Sequence, residues 1–196
     1  IIGVRTPSLV SIAKEISKGD AEQFLKVFVP GSHEEMLLKA AVIGAYGASF
    51  RKKKPFIKDL LGSVDNWAVC DSLAMLLNPR TAELPEVLGF AQFLIKGTKE
   101  FERRFAIELI LNYFINEKFI DSSLDFLKSV KDDRNTVCDA ISTAVSMCYI
   151  KFPEKTTVLL KAKVLNRNVQ NKVILKVTQS LRATPEEKEA VTQWKM

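Results

Sequence analysis

The sequence is poor in the side chains that most catalytic and metal chemistry requires. Of its 196 residues one is histidine, His33, and three are cysteine, Cys70, Cys138 and Cys148. His33 follows Ser32 and precedes Glu34 and Glu35 at the start of a helical pattern, where it reads as a surface residue of a capping region and not as a catalyst. That excludes a Ser-His-Asp relay and any histidine-built metal site. The cysteines form no CxxC pair and sit in apolar helical surroundings, so they read as buried, reduced thiols suited to a cytosolic protein. No apolar run reaches the roughly 18 residues that cross a bilayer, and no signal-peptide pattern is present. No stretch alternates with the period of a strand. Acidic residues are missing altogether between Lys155 and Pro185.

What is present is helical. Hydrophobic residues make up 47% of the chain and charged ones 27%, an ordinary composition for a soluble protein long enough for one domain with a sizeable core. Helix starts recur: Thr6-Pro7 sets a capping hydroxyl before a proline, Ser32 with Glu35 makes a capping box, and Thr184-Pro185 with Glu187 repeats both devices. The pattern predicts helices near 7–18, 20–29, 33–48, 52–62, 65–77, 83–95, 99–115, 117–130, 135–150, 154–163, 168–182 and 185–195. This is an all-α protein of short helical hairpins. RFAIELILNYFI, from Arg104, aligns with DAISTAVSMCYI, from Asp139, at an offset of 35, and CDSLAMLL lies about 34 residues before the first. A period of that size per helix pair marks an α-solenoid. Absence of the tetratricopeptide and ankyrin consensus favours the HEAT-like class, a single curved superhelix over 1–196 with a concave basic groove.

Stacked repeats bring equivalent positions to roughly 8–10 Å from one another, which predicts a row of Asp71, Arg104 and Asp139. VDNWAVCDSL sets Trp67 and Asp71 one turn apart on an otherwise apolar segment. In 101–115 nearly everything is apolar except Arg103, Arg104, Glu108 and Asn112, and the last three recur at i, i+4, i+8; Asp139, Thr143 and Ser146 repeat the stripe. A polar stripe on an apolar helix needs somewhere wet to face, and inner helix faces line the concave surface with which solenoids bind. Blander readings stand beside this one: Arg104 and Glu108 as a surface i,i+4 pair, and Trp67 as a core anchor.

Charge adds to the pattern. The net charge is +6, and Lys155, Lys161, Lys163, Arg167, Lys172, Lys176 and Arg182 fill the acid-free stretch with basic residues. Such a stretch, with Lys172 and Lys176 one turn apart, suits a phosphate backbone, although acidic membranes and acidic proteins also attract it. Asn171 and Ser180 are candidate neutral phosphate contacts. The run RKKK at 51–54 reads as solvated charge.

The blocks GVRTPSLVSIAKEI at 3–16, VDNWAVCDSL at 64–73, FERRFAIELILNYFI at 101–115, YIKFPE at 149–154 and QNKVILKVTQSLR at 170–182 resemble the AlkD-like DNA alkylation repair proteins. The resemblance implies a HEAT-like superhelix that cradles duplex DNA, with a glycosylase activity excising cationic N3- or N7-alkylated purines and no cofactor or metal. It implies catalytic roles for Trp67 and Asp71, matching the W-x-x-x-D motif, and for Arg104. Arg5, Arg103, Lys161, Lys163, Arg167, Lys172, Lys176 and Arg182 are the expected DNA contacts, and Glu108, Asn112, Asp139 and Thr143 line the groove. Thr143 stands where active members carry a second tryptophan, Val10 replaces a common arginine, and the family's first helix would precede residue 1. The expected partner is double-stranded DNA with alkylated bases, met by a monomer in the cytosol beside the nucleoid. Two other functions stay open: a member that binds distorted DNA without chemistry, and a protein-interaction scaffold.

Overall fold

A computed structural model describes residues 2–196, and among them are twelve α-helices and no strand. The chain divides into two compact units, Ile1–Phe90 and Ala91–Met196. The first holds α1 (Thr6–Lys18), α2 (Ala21–Val27), α3 (His33–Ala45), α4 (Phe50–Leu61) and α5 (Trp67–Leu76), followed by a single 3-10 turn at Thr81–Glu83. The boundary falls inside α6 (Leu84–Leu94). The second holds α7 (Glu100–Tyr113), α8 (Ile120–Ser129), α9 (Asn135–Lys151), α10 (Pro153–Lys161), α11 (Arg167–Gln179) and α12 (Pro185–Thr192). No helix among the described residues is long and apolar enough to cross a membrane.

Caps account for several starts. Thr184 and Glu187 form the full reciprocal box, Glu187 N–H donating to Thr184 Oγ1 at 3.2 Å and Thr184 N–H to Glu187 Oε2 at 2.8 Å. Ser32 forms half of one: its Oγ accepts from Glu35 N–H at 3.3 Å, while the Glu35 carboxylate turns to Gly31 N–H. Thr6 differs from expectation, because the helix begins at Thr6 itself with Arg5 as the capping residue and Pro7 inside the first turn. The fourth helix starts at Phe50, two residues before the predicted 52, because Phe50 N–H finds the Glu83 carboxylate at 2.9 Å.

Within the first unit α3 packs between α1 and α5; within the second α9 packs between α7 and α11. The first residues of α3, α5, α7, α9 and α11 fall at 33, 67, 100, 135 and 167, a spacing of 32 to 35 residues. Side-chain contacts obey the same interval, as in Phe50 to Glu83, Asp121 to Lys155 and Asp139 to Lys172.

Two near-fully buried lysines brace the first unit, Lys39 and Lys53, at 4% and 7% exposure. Lys53 Nζ donates to Gly44 O at 2.9 Å and Leu77 O at 3.4 Å, tying together the C-terminal ends of α3 and α5. Burial pushes the Lys53 amine below its ordinary value. Its neighbours Arg51 and Lys52 are exposed, so the RKKK run is solvated only in part. At Gly44 the two helices approach so closely that an added Cβ would sit 2.9 Å from Leu76 C and closer still to Leu76 O. Gly44→Ala should therefore force backbone apart and cost about 2–3 kcal/mol in denaturant unfolding. A change within about 0.5 kcal/mol would mean that α3 and α5 separate freely there.

Candidate functional site

Trp67 opens α5, positioned by Asn66, whose Oδ1 accepts from Val69 N–H at 3.1 Å. The rest of the helix explains the indole's direction. Val69, Cys70, Leu73 and Ala74 take the buried face, leaving Trp67 at 62% exposure and Asp71, one turn on, half-buried. An indole open to solvent is not a core anchor. The first unit therefore presents an aromatic face and a carboxylate about 6 Å apart along one helix.

In the second unit the polar stripe of α7 is mostly sealed. Arg104 and Glu108 are 8% and 4% exposed, whereas Asn112 is exposed and donates to Glu108 O at 2.8 Å. Arg104 Nη1 donates to Thr136 O at 2.5 Å, three residues before Asp139, and Nη2 lies 3.9 Å from Glu108 Oε1. So Arg104 reaches the first turn of α9. A charge this deep is tolerable because protein oxygens replace its water.

Arg103 faces elsewhere. Its Nη2 donates to Lys131 O at 2.9 Å, Nη1 reaches Gly97 O, and Nε lies 3.0 Å from Asp132 Oδ2. All three nitrogens face protein oxygens, which makes Arg103 a brace between loops. Asp132 also accepts from Arg134 Nε at 2.9 Å and Nη2 at 2.5 Å. The Arg134 guanidinium holds the Asp132 carboxyl below its usual range. Sequence reasoning passed over this network; the run Asp132-Asp133-Arg134 before a helix is the only signal that pointed to it.

Along α9 and α11 the stripe is open. Asp139 pairs with Lys172 at 2.8 Å, both partly exposed, and Lys176 follows one turn later. Thr143 Oγ1 donates to Asp139 O at 2.9 Å, within its own helix. Arg182 is exposed, with Nη1 3.9 Å from Met147 Sδ, one turn beyond Thr143. Lys172, Lys176 and Arg182 thus line one side of the Asp139–Thr143–Met147 stripe. Lys161 and Arg167 engage the C-terminal segment instead, Lys161 Nζ 5.9 Å from the Trp194 ring and Arg167 Nε donating to Met196 O at 3.1 Å. Asn171 exchanges two hydrogen bonds with Met196. Lys163 is exposed in the left-handed region at φ 51°, and Arg5 is exposed at the start of α1.

All three cysteines are buried, and burial pushes the Cys148 thiol up to about 12. No cluster of three or more metal-binding side chains occurs among the described residues.

Against known protein families, residues 1–190 match the model described as DNA alkylation repair enzyme. No curated protein and no solved structure matches the chain.

Proposed function

The chain belongs to the DNA alkylation repair enzyme family, and from that membership we propose that it is a DNA glycosylase hydrolysing the N-glycosidic bond of cationic N3- or N7-alkylated purines in duplex DNA. The observation that carries this reading is the pairing on α5 of the solvent-open Trp67 indole with the Asp71 carboxylate one turn away. An alkylated purine already bears positive charge, so it leaves as a neutral base while oxocarbenium character builds on the sugar. A fixed carboxylate stabilises that sugar charge and orients the attacking water. Trp67 packs its face against the cationic nucleotide, a contact that strengthens as water leaves. Arg104, at 8% exposure, is in this reading a positioning residue that holds the first turn of α9.

The recurring helix starts and the 33- to 34-residue contacts support a HEAT-like solenoid, whose concave face the proposal assigns to DNA. Lys172, Lys176 and Arg182, with Arg5 and Lys163, supply the phosphate contacts of a cytosolic monomer. The deciding experiment is release of N7- or N3-methylpurine from alkylated duplex DNA; release no faster than the spontaneous rate sinks the proposal. For the binding component, Lys176→Glu with Arg182→Glu should weaken DNA affinity at least about tenfold at 0.1 M salt and flatten the log–log salt slope by about 2. An unchanged slope would remove these residues from the interface.

Thr143 favours a second reading, a DNA-binding member without the chemistry. Its hydroxyl is spent on Asp139 O, so it offers neither an aromatic wall nor a donor to the groove. Release that rises on Thr143→Trp would place the limitation at this one side chain.

A further inference from the structure

The chain from Lys161 to Arg182 carries no acid of its own, but the fold brings one carboxylate to it. Among the described residues Lys161, Lys163, Arg167, Lys176 and Arg182 pair with no acidic side chain, while Lys172 Nζ lies 2.8 Å from Asp139 Oδ1, 33 positions earlier on α9. The two partners are not equally free. The first turn of α9 is held from α7, by Arg104 Nη1 on Thr136 O and by Thr136 Oγ1 on Glu100 Oε1, and this fixes the backbone under Asp139. Lys172 carries its amine on a flexible four-carbon arm. The contact is also open to solvent, with side-chain exposures of 50% for Asp139 and 29% for Lys172. An ion pair this exposed is weak, so a phosphate can take the lysine from it. The carboxylate then stays behind, facing a second negative charge.

Resting on the DNA-binding part of the proposed function, we infer that Asp139 is an internal counter-ion that competes with the DNA backbone for Lys172 and so lowers affinity for undamaged duplex. Lys176 and Arg182, which no acidic side chain neutralises among the described residues, supply the groove's standing attraction. The Asp139–Lys172 pair is neutral and displaces no counterion from the duplex until it opens. Phosphate contacts are blind to damage, and undamaged sites outnumber lesions by orders of magnitude. A carboxylate that weakens those contacts shortens the stay at each wrong site. Choice of the lesion is thereby left to Trp67 and Asp71.

Binding of a labelled, undamaged duplex, followed by fluorescence anisotropy from about 0.05 to about 0.3 M salt, tests this. Asp139→Asn should bind about three- to tenfold tighter than the native chain at about 0.1 M salt, with a log–log salt slope steeper by about 1. Asp139→Asn combined with Lys172→Met exchanges one neutral pair for another and should return to within about twofold of native affinity and to the native slope. Glu117→Gln makes the same change of net charge at an exposed residue between α7 and α8, and should shift affinity by less than about twofold. An Asp139→Asn affinity and slope equal to native, or a Glu117→Gln gain as large as that of Asp139→Asn, would overturn the inference. If the native chain shows no salt-sensitive binding, the DNA reading itself falls. If it binds and only Asp139→Asn is silent, that reading stands and the counter-ion role alone is removed.

Discussion

Replacing Asp71 with asparagine should slow base release from alkylated duplex by about 10²–10³-fold, equivalent to roughly 2.7–4 kcal/mol, while DNA affinity shifts by less than about threefold. Asparagine keeps the shape and an accepting oxygen but removes the charge. In the bound substrate the positive charge resides on the base; as the bond breaks it moves to the sugar. A carboxylate held over the sugar therefore stabilises the transition state more than the ground state, and its loss falls on kcat and not on binding. Asp71 is half-buried on the helix face next to the exposed Trp67, so the substitution opens no core cavity. Single-turnover release at saturating protein, beside a binding isotherm on the same DNA, separates the terms. Equal losses in both would make Asp71 a uniform binding residue, and undiminished release would remove it from the chemistry.

Trp67 and Asp71 were legible because a helix face is a local pattern: the i,i+4 spacing alone places them together, and Val69, Cys70 and Leu73 announce the face that must be buried. The interval of 32 to 35 residues was legible too, through the alignment of Arg104 with Asp139. What joins one repeat to the next was not. Lys53 looks solvated in RKKK because nothing nearby in sequence needs its amine; the carbonyls it satisfies are those of Gly44 and Leu77. Arg104 and Glu108 read from the sequence either as groove lining or as an i,i+4 pair, and only the folded chain shows Arg104 reaching a carbonyl of α9 while lying 3.9 Å from Glu108.

Asp132→Asn should produce the largest loss of stability, about 3–5 kcal/mol, and lower Tm by roughly 10 °C for a chain of this size. The side chain is 3% exposed and lies 3.0 Å from Arg103 Nε and 2.5 Å from Arg134 Nη2. Those two guanidiniums also reach Gly97 O, Lys131 O and Thr98 O, so one carboxylate holds the segment before α7 against the segment before α9. Asparagine offers one accepting oxygen where two are used and turns an amide towards a cation, leaving positive charge in a confined place without its partner. The pH dependence has a definite sign. Hydrogen bonding from Arg134, the largest cause, depresses the Asp132 pKa in the folded protein. Its stabilisation is therefore present above the unfolded value of about 3.9 and is lost as pH falls through the lower folded value. The gap in unfolding free energy between the native chain and Asp132→Asn should stay constant from neutral pH down to about 5, then narrow as both approach acid denaturation. A gap below about 1 kcal/mol at neutral pH, or one that widens on acidification, would show that the arginines find other oxygens when this carboxylate is gone.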